Sequence, residues 1–300
     1  MAEIVFLGTS CGIPAPERNH AAIYFRYNEH RFLFDCGENT QRQLAIAKLS
    51  PMKISRIFLT HFHGDHYYGL IGFIQSCYWR ERAEPLYIYG PKGVKKIVGD
   101  VMRLVEPGKN TFEIIVKEVK GGWEIQEEDY TVSAFETKHS GPGVGYVFQE
   151  KERLHVDEEK LRKLGLDPCP MYADLKAGKT VEWKGKKLKP TNYVTGEKGI
   201  KFVYSGDTEP IDATVKAADG ADLLVHEASF AQDATDRARE TNHSTAKEAG
   251  EIARQANVKQ LVLTHFSTRY KDEELDKLLQ DAQKEFDNVI LAKDFMKIEI

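Results

Sequence analysis

The chain has 300 residues, a net charge of -4, 41% hydrophobic and 29% charged residues, the balance of a soluble globular protein with one large domain or two ordinary ones. So small a net charge gives no general attraction for polyanions, and no apolar run approaches the ~18 residues that span a bilayer. The opening Ala2-Glu3 and Ile4 to Leu7 lack the basic and apolar segments of a signal peptide, so a cytoplasmic protein with no membrane partner is expected.

Four cysteines, Cys11, Cys36, Cys77 and Cys169, are widely spaced with no C-x-x-C pair. They read as reduced thiols, which leaves His and carboxylates as the available metal ligands. Charge is unevenly spread. Lys176, Lys179, Lys184, Lys186, Lys187 and Lys189 face the single acid Glu182, a local +5 that leaves -9 on the remainder. On the count alone this stretch is as readily a solvated hairpin as a phosphate-binding patch.

In chain order, Ile4 to Leu7, Ala22 to Tyr27 and Arg31 to Asp35 read as strands, the last two joined by an Asn28-Glu29-His30 turn. A helix from Asn39 to Lys48 ends at Ser50-Pro51, and a strand follows through Ile57 to Thr60. Tyr67 to Arg82 reads as a helix, Leu86 to Tyr89 as a strand, and Lys92 to Val105 as a helix stopped by Pro107-Gly108. Strands near Phe112 to Val119, Tyr130 to Thr137 and Gly145 to Gln149 complete a first half. Lys151 to Lys198 is polar, Pro-punctuated and basic, an insertion rather than a core layer. The second half places strands at Lys201 to Ser205, Asp222 to His226, Gln260 to Thr264 and Val289 to Leu291, and helices at Ile211 to Ala217, Ser244 to Gln255 and Asp272 to Phe286. Helices among many strands predict a layered α/β body. A short echo, Ile57-Phe-Leu-Thr-His-Phe62 against Leu261-Val-Leu-Thr-His-Phe266, suggests two related halves that bring their strand ends face to face.

The densest chemistry is His61-Phe-His-Gly-Asp-His66, directly after an apolar strand. Three imidazoles and a carboxylate in six positions form a metal nest, and four ligands exceed what one open catalytic zinc takes from protein, so a second metal is indicated. His139, Asp207 and His265 also follow apolar strands. Each alone is an ordinary loop residue; together they supply the remaining ligands, and two carboxylates with a hydroxide offset most of the charge of two divalent cations.

This ordered set, His61-x-His63-x-Asp65-His66, His139, Asp207 and His265, resembles that of the metallo-β-lactamase superfamily. The resemblance spans nearly the whole chain and implies a four-layered α/β/β/α sandwich. It also implies that His61, His63 and His139 hold one zinc, that Asp65, His66 and His265 hold the other, and that Asp207 bridges them, with manganese or iron as alternatives. Asp35, in Phe34-Asp-Cys-Gly37, matches a buried aspartate supporting the ligands.

Further stretches resemble the ribonuclease Z (tRNase Z) family. Phe6-Leu-Gly-Thr-Ser10 with Pro14-Ala-Pro-Glu-Arg-Asn19 is similar to its P-x-K-x-R-N loop, with Pro16 in place of the usual Lys. His226-Glu227-Ala228 and His243-Ser244-Thr245 are similar to its two loops near the metals. Leu164 to Tyr172, Leu175-Lys176 and Gly178-Lys179-Thr180-Val181 are similar to its substrate-binding arm, with Cys169 replacing a Gly. The resemblance implies a zinc-dependent endoribonuclease that cuts the 3' trailer from precursor tRNA. Asp65 would orient the attacking water, and His243 would donate a proton with support from Glu227. Arg18, Asn19, Lys176, Lys179, Lys184, Lys186 and Lys187 would contact RNA. One domain over residues 1–300, with the arm inserted at about 151–198, is expected to form a homodimer whose arm reaches tRNA on the partner subunit. DNA is not an expected partner.

Overall fold

The computed structural model describes residues 1–105 and 111–300. Strand alternation explains the layering. In Ala22–Tyr27, Ile23, Phe25 and Tyr27 enter one apolar cluster while Ala22 and Tyr24 enter another. In Ala2–Gly8, Ile4 and Phe6 likewise part from Val5 and Leu7. Side chains two apart share a face, so a strand apolar at every position is covered on both sides.

Two seven-stranded sheets result. The first runs Lys297–Glu299, Ala2–Gly8, Ala22–Tyr27, His30–Phe34, Arg56–Phe58, Leu86–Gly90 and Ile114–Glu118. The second runs Val289–Leu291, Leu261–Thr264, Leu223–Glu227, Lys201–Tyr204, Val144–Glu150, Tyr130–Glu136 and Glu124–Gln126. Between them lies an aromatic core in which Phe25 sits 4.7 Å from Phe148 and 5.0 Å from Phe202, centroid to centroid. Burying each such ring contributes roughly 1.5–3 kcal/mol. Helices Thr40–Ile46, Leu70–Trp79 and Val94–Leu104 cover the first sheet, and Asp212–Ala218, Ala246–Gln255 and Asp276–Gln283 cover the second. This is the expected α/β/β/α sandwich.

His30–Phe34 through Ile114–Glu118 are parallel, as are Lys201–Tyr204 through Val289–Leu291. The strand carrying the His cluster and its echo lie in opposite sheets. In such sheets ligands bind beyond the carboxyl ends of the strands.

Several boundaries differ from expectation. The helix expected over Tyr67 to Arg82 is two helices, Gly64–Tyr67 and Leu70–Trp79. The backbone N–H of Gly69 between them is spent on the Cys36 carbonyl at 2.9 Å, and a Cβ at Gly69 would lie 2.0 Å from the Gly37 carbonyl oxygen. The helix expected from Ser244 begins at Ala246, because Thr245 and Glu248 form a reciprocal cap. The Pro107-Gly108 stop lies outside the described residues. Strands Glu124–Gln126 and Lys297–Glu299 and helix Thr235–Thr241 were not expected.

The insertion is ordered. Strands Arg153–Val156 and Val194–Glu197 pair, as do Val181–Trp183 and Lys186–Leu188. With helices Glu158–Lys163, Met171–Lys176 and Pro190–Tyr193, they close over a small core of Leu161, Leu166, Leu175 and Leu188.

Candidate metal centre

At the strand ends the residues from both halves meet. His61, His63, His139 and Asp207 form one group of potential ligands, Asp65, His66 and His265 a second, and Asp207, His243 and His265 a third, the ligand atoms of each within 4.8 Å of one another. The Asp207 carboxylate is central. Its Oδ2 lies 3.3 Å from His66 Nε2, 3.4 Å from His265 Nε2, 3.6 Å from His61 Nε2 and 3.9 Å from His139 Nε2. Asp65 Oδ2 is 3.3 Å from His265 Nε2 and 3.6 Å from His66 Nε2. His63 presents Nδ1, 3.0 Å from His139 Nε2.

In four of the five histidines the inward ring nitrogen is aimed by a bond at the opposite one. His66 Nδ1 meets Asp35 at 2.7 Å, His139 Nδ1 the Asn242 carbonyl at 2.8 Å, His61 Nδ1 the Thr60 hydroxyl at 3.1 Å and His265 Nδ1 the Ser229 hydroxyl at 3.0 Å. This outer shell is how proteins fix the tautomer and direction of metal-binding imidazoles. Asp35 also accepts from the Thr60 N–H at 2.7 Å and the Tyr204 hydroxyl at 2.9 Å. Asp35 and His265 adopt left-handed backbone, φ 59° and 62°, conformations that cost energy and cluster at functional sites. Gly206 places Asp207 from φ +59°, where a Cβ would fall 2.7 Å from the Thr60 methyl.

The donor set fits divalent cations. His61 Nε2 and Asp207 Oδ1 are buried with no hydrogen-bond partner in the described structure, the orphaned state that coordination relieves. Burial, helped by His66, holds His61 well below its usual pKa, and burial with His139 lowers His63, so both rings are neutral and able to ligate. Burial opposes the charge on Asp207 and Asp65, but the imidazoles of His66 and His265 overcome it and keep both ionised. His66 and His265 are raised, against burial, mainly by Asp207, and a cation there would take the place of their protons.

Beside this cluster lies an acid–base pair. Glu227 Oε1 is 2.8 Å from His243 Nδ1 and accepts the Thr208 N–H at 2.8 Å, while Oε2 accepts the Ser229 hydroxyl at 2.7 Å. Burial works against a charge on His243, but Glu227 raises its pKa to about 9. With Nδ1 on the carboxylate, Nε2 is the ring nitrogen left without that partner.

Other expected contacts are placed differently. Arg18 is buried, its guanidinium held by Asp272 and by the Tyr270 carbonyl at 2.7 Å. Buried and paired in this way it braces the 10–20 loop, where an open cation facing RNA was expected. Asn19 bonds the Glu38 carbonyl at 2.8 Å. Lys176, Lys179, Lys184, Lys186 and Lys187 are exposed; Lys179 pairs with Asp174 at 2.9 Å and Lys184 lies over the Trp183 ring. His226 bonds the Glu227 carbonyl at 2.7 Å and belongs to none of the clusters. Sequence reasoning missed Ser229, Thr60, Tyr204 and the Gly12 N–H, which donates to Asp65 at 2.7 Å. Ser229, the residue after His226-Glu227-Ala228, carries the only visible signal, a small polar group past a strand end.

Fold and site together define a metallo-β-lactamase-type domain, and a profile described as "Beta-lactamase superfamily domain" matches residues 170–266. A second profile, "Anti-Pycsar protein Apyc1", matches residues 2–163. The chain belongs to the ribonuclease Z family. It is 45% identical to the ribonuclease Z of Methanothermobacter thermautotrophicus, covering 100% of this chain and 97% of that one. It is 38% identical to that of Bacillus licheniformis, covering 99% of each. The solved structure of human tRNase Z, short form, superposes with a TM-score of 0.73 at 28% identity over 99% of both chains. No helix among the described residues is long and apolar enough to cross a membrane.

Proposed function

We propose that this chain is a zinc-dependent endoribonuclease that removes the 3' trailer from precursor tRNA, leaving a tRNA 3'-OH and a 5'-phosphorylated trailer. One observation carries the reading: seven His and Asp side chains converge at the strand ends of both sheets with the Glu227–His243 pair beside them, in a chain whose full-length relatives are ribonucleases Z.

His61, His63 and His139 would hold one cation and Asp65, His66 and His265 the other, with Asp207 between them. Bound there, two divalent cations supply polarisation of the scissile phosphate and lower the pKa of the attacking water. Asp65 orients that water. His243, held by Glu227 through Nδ1, gives its Nε2 proton to the departing ribose 3'-oxygen. The exposed arm lysines engage phosphates and so position tRNA without reading sequence, in a homodimer whose arm serves the partner subunit.

The test is to incubate the purified protein with a precursor tRNA carrying a 3' extension, map both ends of the products and assay metal content. Cleavage beside the discriminator nucleotide, abolished by chelation and restored by zinc, is expected. Metal-loaded protein that leaves the precursor intact would sink the reading.

A further inference from the structure

The arm stands on a narrow foot. Strands Arg153–Val156 and Val194–Glu197 pair with each other and join neither seven-stranded sheet, and the arm's apolar core is drawn from residues 156–194 alone. Its direction is therefore set where the chain leaves and re-enters the body. On the way out the Lys151 N–H donates to the Asp129 carbonyl at 2.9 Å, and on the way back Lys198 Nζ donates to the Gly220 carbonyl at 2.9 Å. The two legs touch at Gly199, where a Cβ would lie 2.2 Å from the Glu150 carbonyl oxygen.

Glu150, the last residue of strand Val144–Glu150, is buried in this foot, and its carboxylate binds three separate parts of the chain. Oε1 accepts from the Tyr27 hydroxyl of the first sheet at 2.8 Å and from the guanidinium of Arg153, where the arm begins. Oε2 accepts from the Ile200 N–H of the returning leg at 3.0 Å. Burial works against a charge on Glu150, but these bonds hold its pKa below the usual carboxylate value. Tyr27 is itself fixed, its ring 5.0 Å from that of Phe148 in the core between the sheets. Among the described residues, Arg153 is the one member of 153–197 that hydrogen-bonds or ion-pairs with the rest of the chain.

We propose that Glu150 is a positioning residue: by holding Arg153 it fixes the direction of the arm relative to the metal centre, and thereby the affinity for precursor tRNA. The inference rests on the reading of the arm as the tRNA-binding element. Glu150 is too deep to meet RNA and acts through the arm. At about 3.3 Å per residue the four residues Arg153–Val156 span ~13 Å, so a tilt of about 20° at the foot displaces their far end by ~4.5 Å. A displacement of that size takes a lysine out of reach of its phosphate. An arm already held in its binding direction also spares the entropy of ordering it on contact.

The experiment reads direction and reaction separately, in metal-loaded, full-length protein. Spin labels on Lys163→Cys in the arm and Lys216→Cys in the body, both exposed positions, report the arm-to-body distance by pulsed electron resonance. Cys11 and Cys169 are replaced by Ser in the labelled protein, which is diluted with unlabelled molecules so that only distances within one chain are read. Glu150→Gln should broaden or shift the distance distribution of the wild type. Arg153→Ala, at an exposed position that leaves the bonds to Tyr27 and Ile200 in place, should do the same. In the unlabelled protein both variants should raise KM for precursor tRNA about tenfold with kcat within about twofold, the pattern of binding lost equally from ground and transition states. Arg153→Lys, which restores a cation, should return KM to within about threefold of the wild type. Unchanged distances in both variants, a displaced arm with wild-type KM, or a loss confined to kcat would each overturn the inference. Wild-type protein that leaves precursor tRNA intact removes the ribonuclease reading, whereas variants that cleave it with wild-type KM remove the positioning role alone.

Discussion

Replacing Asp35 by Ala should loosen the metal centre and the core together. Its buried carboxylate accepts from the Thr60 N–H, the Thr60 hydroxyl, the Tyr204 hydroxyl and His66 Nδ1, at 2.7 to 3.0 Å. A methyl group leaves four buried donors without an acceptor, at roughly 1 kcal/mol or more each. The expected loss is about 4 kcal/mol, or ~10 °C in Tm for a chain of this size. His66 also loses the partner that holds its ring, and outer-shell changes of this kind cost about 10–100-fold in metal affinity. Asp35→Asn, which retains volume and one acceptor oxygen, should lose less stability but still present the wrong group to one donor. Urea unfolding of the chelated protein isolates the hydrogen-bond loss, and zinc competition against a chromophoric chelator isolates the affinity. Wild-type unfolding together with zinc affinity within twofold would refute the role assigned to Asp35.

His243→Ala and Glu227→Gln should retain bound metal, measured by elemental analysis, while cleavage of precursor tRNA falls by about 10²–10⁴-fold, the range of general acid catalysis. Exchanging Lys176, Lys184, Lys186 and Lys187 for Glu should weaken tRNA binding and flatten its dependence on salt, each lost phosphate contact reducing the log–log slope by about 0.7–0.9; an unchanged slope would detach the arm from RNA. Asp294, which accepts from Thr9, Asn19 and Gln43, is raised to about 6 by burial. A carboxyl raised in the folded state makes the native protein bind more protons than the unfolded chain, so its burden is present above pH 6 and relieved as pH falls toward 4. The stability of the wild type relative to Asp294→Asn should therefore increase by ~1–2 kcal/mol between pH 7 and 4, read by urea unfolding across that range.

Much of the site was legible because strand ends can be seen locally. His61, His139, Asp207 and His265 each follow a short apolar run, and ligand atoms are rare enough that their recurrence at one kind of position is informative. The long strands were legible for the same reason, since alternation such as that of Ala22–Tyr27 survives in any window. What escaped was fixed by partners distant in sequence. Lys297–Glu299 is three residues long, with two charged side chains, and becomes a strand by pairing with Ala2–Gly8. Arg18 looked like an open cation because Asp272, 254 positions away, could not be foreseen as its neighbour. Ser229 and Tyr204 act through hydroxyls that only the folded arrangement brings to His265 and Asp35, 36 and 169 positions away.

The span of the ligands bears on synthesis. His66 and His265 are 199 positions apart and their inner nitrogens 3.2 Å apart, so neither group of ligands that includes His265 can assemble until that residue has left the ribosome. The nascent chain, threaded through a machine surrounded by tRNA, exposes His61 to His66 early, yet lacks the opposing half. A set of ligands divided in this way is complete only when both halves of one molecule have met.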